Sequence, residues 1–213
     1  VQPITLDQVR QIIAQVAKGL QAMHRLRMLP QDIRPENIML VRIRTVKIID
    51  FGSCRVAGVR VMQRETQDAA LGTLAYMAPE YFLLEPVSTR SDQYSLAVLT
   101  YYLLTGDLPY QTNIAKCKSR KDLRKLYYFS VFEYRKDIPI WVDLALEKAV
   151  RPDPEQRYED ISEFIYDLNY SNPLFVQPAR KSFVDRDPVL FWKMLSVIRL
   201  LLLLGLLSLL HGN

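Results

Sequence analysis

Cysteine is nearly missing from this sequence, with two in 213 residues. That excludes a disulfide-framed secreted scaffold and a cysteine-rich zinc site. Histidine is as scarce: His24 lies in an apolar helix context and reads as a core or helix-end residue, and His211 is too isolated for a metal site. Seven glycines and twelve prolines are too few for collagen or a low-complexity linker. A dominant charge sign is lacking too, since 28 Lys and Arg against 23 Asp and Glu leave a net charge of only +5. No aromatic interleaving or recognition-helix pattern accompanies it, so nucleic acid is not expected as a partner. No basic-then-apolar signal peptide opens the chain, because residues 1–6 lead into an amphipathic pattern.

What is present is apolar residue: 49% of the chain is hydrophobic and 24% charged, enough for one folded domain with a sizeable core. The apolar fraction is uneven. Residues 189–210 form a leucine-rich run that would span about 33 Å as a helix, enough for a bilayer core. We expect a transmembrane helix there, with Lys193 near one end and Arg199 costly inside it. Arg180, Lys181 and Arg186 precede the run, which would put the soluble part on the cytoplasmic side of a bacterial inner membrane. Lys116, Lys118, Arg120, Lys121, Arg124 and Lys125 form the one dense basic patch, either a solvated face or a docking surface for an acidic partner or lipid headgroups. Cys117 lies beside these cations, which would lower its pKa.

Periodicity gives a mainly α domain. Thr5 and Gln8 form a capping box before a 3.6-residue apolar period, predicting a helix over 6–25. Short extended runs at 37–40 and 45–49 predict one hairpin. Residues 53–78 read as a long loop, and 91–105 as a buried central helix stopped by Gly106. Further helical segments are expected near 120–129, 139–149 and 158–168. The expected domains are 1–172, a linker over 173–188, and the helix over 189–210.

Chemistry concentrates around the hairpin. Asp32 and Asn37 share a loop, and Asp50 follows the next strand. An aspartate held in a loop can accept a hydroxyl proton. An amide oxygen and a carboxylate are hard ligands for Mg²⁺. Arg34 can offset charge on a moving phosphoryl group.

At this point the motifs resemble a known family. Pro30–Asn37 is similar to the catalytic loop of eukaryotic-type serine/threonine protein kinases, Asp50-Phe51-Gly52 to their magnesium-binding DFG motif, and Ala78-Pro79-Glu80 to their APE motif. Gly72-Thr73 with Tyr76-Met77 resembles the substrate-side loop, and Asp92 with Tyr94–Ala97 the start of the central helix. Arg157 looks like the arginine that pairs with the APE glutamate. The resemblance covers residues 6–168 and implies the large C-terminal lobe with a short β-hairpin, ATP and Mg²⁺ as cofactors, and a protein Ser/Thr hydroxyl as substrate. It implies that Asp32 accepts the hydroxyl proton and that Arg34 sits near the γ-phosphate. Asn37 and Asp50 would hold Mg²⁺ against the nucleotide, and Thr73 would order the substrate side. Phe51, Gly52, Glu80, Asp92 and Arg157 would be structural, with Glu80 and Arg157 as an ion pair and Asp92 bracing the catalytic loop.

The chain also departs from that pattern. Pro30 stands where the family usually has histidine, and Gln31 replaces the arginine that grips a phosphorylated activation loop. Arg34 replaces a lysine. No Gly-rich loop, strand lysine or glutamate helix is found, so we expect the small lobe to lie upstream and the 213 residues alone to transfer little phosphate. The leucine-rich tail after Asp187–Lys193 resembles bacterial proteins that join a PP2C-type phosphatase domain to a kinase, which implies a possible upstream phosphatase partner. A pseudokinase-like docking module at the membrane is the alternative reading.

Overall fold

The computed structural model describes residues 4–41, 45–49, 55–56, 74–173 and 175. The chain divides into two units, residues 1–172 and 173–213. Every described helix and strand belongs to the first unit.

Helix α1, Leu6–Arg25, begins at the capping box: Thr5 accepts from the Gln8 amide and the Gln8 side chain returns to the Thr5 amide. One face of α1 is apolar, and Val9, Ile13, Val16, Ala17 and Leu20 are buried along it. Strand β1, Met28–Leu29, pairs antiparallel with β4, Arg55–Val56. Strands β2, Ile38–Val41, and β3, Thr45–Ile48, form the antiparallel hairpin. Helix α2, Pro79–Phe82, is one turn that opens on a proline. Helix α3, Thr89–Thr105, is capped reciprocally by Ser88 and Ser91 and ends at Gly106, whose φ of 77° is left-handed. Helices α4, Arg120–Leu123, α5, Ile140–Ala149, and α6, Ile161–Asn169, follow.

The core is built around α3. Every residue from Ser91 to Tyr101 is buried, so this helix lacks a polar face. Helix α1 packs against α3, α6 and β3, while α5 packs against α3 and α6. Gly19 eases the close contact between α1 and β3, because a Cβ there would meet the tip of the Ile48 side chain, Cδ1, at 3.0 Å and push it aside. Helices α1 and α6 are also tied directly, since Arg10 Nε donates to the Leu168 carbonyl at 3.0 Å.

Three expectations are corrected. A second ladder, β1 with β4, joins the single hairpin; its strands are two residues long, too short to show a period. The helix expected over 120–129 stops at Leu123, and the Phe129 amide bonds instead to the Pro109 carbonyl at 3.0 Å. The C-terminal hydrophobic helix over 189–210 lies outside the described residues, and among the described residues no helix is long and apolar enough to cross a membrane. The most deeply buried helix, α3, has 17 residues where about 20 are needed, and its surface is taken up by α1 and α5. A transmembrane helix, membrane attachment and an inner-membrane location are therefore withdrawn.

Candidate active site

Asp32, Arg34 and Asn37 sit on one loop between β1 and β2. Pro35 opens a short 3-10 turn, Pro35–Asn37, and the Asn37 amide closes it onto the Arg34 carbonyl at 3.0 Å. The turn folds Asn37 back against Asp32. Asn37 Nδ2 donates to the Asp32 carbonyl at 2.9 Å and to Asp32 Oδ2 at 2.7 Å. Arg34 Nε lies 3.3 Å from Asp32 Oδ1 and 3.8 Å from Glu36 Oε2. The two oxygens of Asp32 are thus held by different neighbours. The Asp32 side chain keeps 21% exposure, so an incoming hydroxyl can reach it. A carboxylate fixed this way is oriented for proton acceptance.

The loop is braced from behind. The Gln31 amide donates to Asp92 Oδ1 at 3.1 Å, and His24 Nε2 lies 2.9 Å from Asp92 Oδ2. Gln31 has a φ of 67°, a left-handed conformation costing about 1–2 kcal/mol for a residue with a Cβ. Its bond to the buried Asp92 holds it there. Pro30 has no N–H to offer, and the second oxygen of Asp92 goes to His24 instead. Burial raises the pKa of the Asp92 carboxyl, and the bonds from His24 and Gln31 oppose that shift. His24 is a positioning residue; the sequence assigned it only to the core or a helix end, and it does sit in the last turn of α1. Its partner is 68 residues away, a separation that carries no spacing signal.

The substrate-side segment and the third motif are tied down separately. Glu80 and Arg157 form a bidentate pair at 2.8 Å and 2.8 Å, nearly without solvent. Ser91 Oγ adds a bond to Glu80 Oε1 at 2.9 Å, linking the pair to α3. Tyr76 packs edge-on against Tyr102 at 5.8 Å. Its hydroxyl pKa is raised by burial, then by Tyr102 and Glu36, while Arg34 opposes.

Asp50, Phe51, Gly52 and Thr73 lie outside the described residues. The backbone leading to Asp50 is anchored, because the Ile49 amide donates to the Asn37 carbonyl at 2.8 Å. Cys117 is corrected: burial pushes its thiol pKa up and Asp122 adds to the shift, against the lowering expected from neighbouring cations.

Among the described residues no cluster of three His, Cys, Asp or Glu is placed to hold a metal ion. The donor chemistry nevertheless fits Mg²⁺. Asn37 commits its amide N–H groups to Asp32, which leaves Oδ1 as the acceptor for a hard cation beside a carboxylate.

The protein kinase domain model matches residues 1–174. The chain belongs to the protein kinase family. It is 29% identical over 170 residues to the serine/threonine-protein kinase PknB of Mycobacterium leprae, covering 78% of this chain and 26% of that protein. It is 39% identical over 127 residues to the striated muscle preferentially expressed protein kinase of Danio rerio, covering 57% of this chain and 4% of that protein. Among solved structures, the twitchin kinase region from C. elegans aligns with a TM-score of 0.61 and 25% identity, over 86% of this chain and 31% of that one. The chain spans about a quarter or less of the length of these curated relatives.

The family match corrects the narrower recognition made from sequence. It runs as a protein kinase domain over nearly all described residues, and the matched relatives carry protein-kinase names. The narrower likeness to bifunctional PP2C-type phosphatase–kinases, with its phosphatase partner, and the restriction to a C-terminal lobe are accordingly corrected to a protein kinase domain over residues 1–174. A protein substrate fits the family, and ATP with Mg²⁺ is what kinases in general use.

Proposed function

We propose that this chain carries the catalytic loop of a serine/threonine protein kinase, moving the γ-phosphate of ATP to a protein hydroxyl. The observation that carries the reading is the geometry of Asp32, held at 2.7 Å by Asn37 and at 3.3 Å by Arg34. Asp32 orients the substrate hydroxyl and takes its proton as the new O–P bond forms. Arg34 offsets charge on the phosphoryl group. Asn37, with Asp50, holds Mg²⁺, which supplies charge neutralisation along the phosphates. Thr73 orders the substrate side. Glu80, Arg157 and Asp92 act as scaffold, and Phe51 and Gly52 are structural too. Gln31, in place of an arginine, implies that activity does not depend on a phosphorylated activation loop.

A radiolabelled ATP assay tests this in the 213-residue chain and in the natural polypeptide that contains it. Little transfer is expected from the 213 residues, a small share of the relatives' length. In the longer polypeptide, Mg²⁺-dependent transfer to serine or threonine should fall at least about a hundredfold in Asp32→Asn. Transfer indifferent to that substitution overturns the proposal. No transfer at all would favour a pseudokinase-like docking module, the reading that Pro30 supports.

A further inference from the structure

A second concave site lies away from Asp32, between α4 with its following turn and the C-terminal end of α5. It is a cavity of about 450 Å³, room for one or two side chains rather than a domain. Its floor is apolar. Leu123 is buried there, and the rings of Tyr110 and Tyr128 meet edge-on at 6.2 Å. Both phenols are engaged behind the floor, Tyr110 with the Val150 carbonyl at 3.0 Å and Tyr128 with Asp143 Oδ1 at 2.9 Å. The two rings therefore offer carbon, not hydroxyl, to an occupant.

The rim is cationic. Arg120, Arg124 and Arg151 line it. Arg120 is fixed by a bidentate pair with Glu85, both bonds at 2.8 Å. Arg124 and Arg151 are exposed, and the side-chain bond found for Arg151 is a long one, 3.5 Å, to the neutral Gln156 amide. Two carboxylates, Glu147 and Asp153, also reach the cavity. Asp153 is partly committed, capping the Glu155 amide at 3.2 Å and lying 3.7 Å from Arg120. Lys116, Lys118, Lys121 and Lys125 extend the positive field beside the rim. Asp122, the acid among them, accepts from Ser119 Oγ and the Lys118 amide.

We propose that this cavity docks a peptide segment of a partner protein in which an apolar side chain is flanked by carboxylates. The apolar side chain fills the space over Leu123 and the two tyrosine rings, and the carboxylates pair with Arg124 and Arg151. Concavity and side-chain dimensions favour a peptide over a lipid surface, which would need a broad face of exposed apolar groups. The site is independent of phosphotransfer, so its test does not depend on the reading of Asp32.

The probe is a fluorescein-labelled peptide with a central leucine flanked on both sides by glutamates, titrated against the 213-residue chain by anisotropy. Binding should weaken about tenfold in Arg124→Glu with Arg151→Glu. It should also weaken in about 1 M salt, where the Debye length is about 3 Å. Lys18→Glu with Lys47→Glu, exposed and elsewhere, removes the same charge and should leave binding unchanged. Replacing the leucine by glycine, or the glutamates by lysines, should abolish it. If the double reversal disturbs folding by circular dichroism, Arg124→Ala alone should still weaken binding about threefold. No binding of the peptide, binding indifferent to Arg124 and Arg151, or binding to phosphatidylserine vesicles without binding to the peptide overturns the proposal.

Discussion

Arg157 uses all five N–H donors of its guanidinium. Two bonds go to Glu80, and the others reach the carbonyls of Arg151, Arg90 and Pro152 at 2.7, 3.0 and 3.0 Å. Its plane also lies over the Tyr94 ring at 4.8 Å. Removing this group leaves Glu80 buried with only Ser91 as a partner. Arg157→Met is therefore expected to cost about 3–5 kcal/mol in urea unfolding. Adding Glu80→Gln to it should recover part of that loss, because the stranded charge is gone. Arg157→Lys keeps the charge but loses the fork, and should fall between wild type and Arg157→Met. A wild-type midpoint in Arg157→Met would show that the pair carries no stability.

At the scale of elements, Gly106 is the clearest stop signal. Its amide closes the last turn on the Tyr102 carbonyl at 2.7 Å, its φ of 77° turns the chain out of the helix, and the space around its missing Cβ is open. Gly106→Ala should thus cost about 1–2 kcal/mol from backbone strain alone, with no clash to repack. Thermal unfolding followed by circular dichroism reads this directly, and an unchanged midpoint would contradict it. Gly106 and the Thr5 cap were legible in sequence because each acts within four residues of its partner. The loop from Pro30 to Asn37 was legible for the same reason. Elements that depend on distant partners were not. Strand β4 is defined by its pairing with β1, not by its own two residues. Helix α4 ends early because Phe129 pairs with Pro109, a contact the local basic and apolar pattern does not encode. His24 and Asp92 belong to this second class, as do Tyr128, Ser130 and Asp143, where one buried carboxylate accepts two hydroxyls and the Val131 amide.

For the whole molecule, burial is graded outward from α3. Its amides are both helix-bonded and enclosed, while α4 is one turn on an exposed basic patch. Hydrogen exchange should therefore be slowest over Tyr94–Tyr101, near the global opening free energy, and faster by orders of magnitude over Arg120–Leu123. Similar rates in the two segments would refute a core centred on α3. The apolar fraction of the whole sequence was a poorer guide. It combined this core with the leucine-rich run at 189–210, and the run alone suggested a membrane protein.

The bond from Arg10 to Leu168 spans 158 residues, and α1 rests on α6 as well as α3. On the ribosome, α1 must wait for α6 to emerge. At about 5–20 residues per second, that interval is roughly ten to thirty seconds. Throughout it, part of the apolar face carrying Val9, Ile13 and Leu20 has no final cover. The nascent chain thus presents α1 as a binding surface for chaperones until α6 is translated.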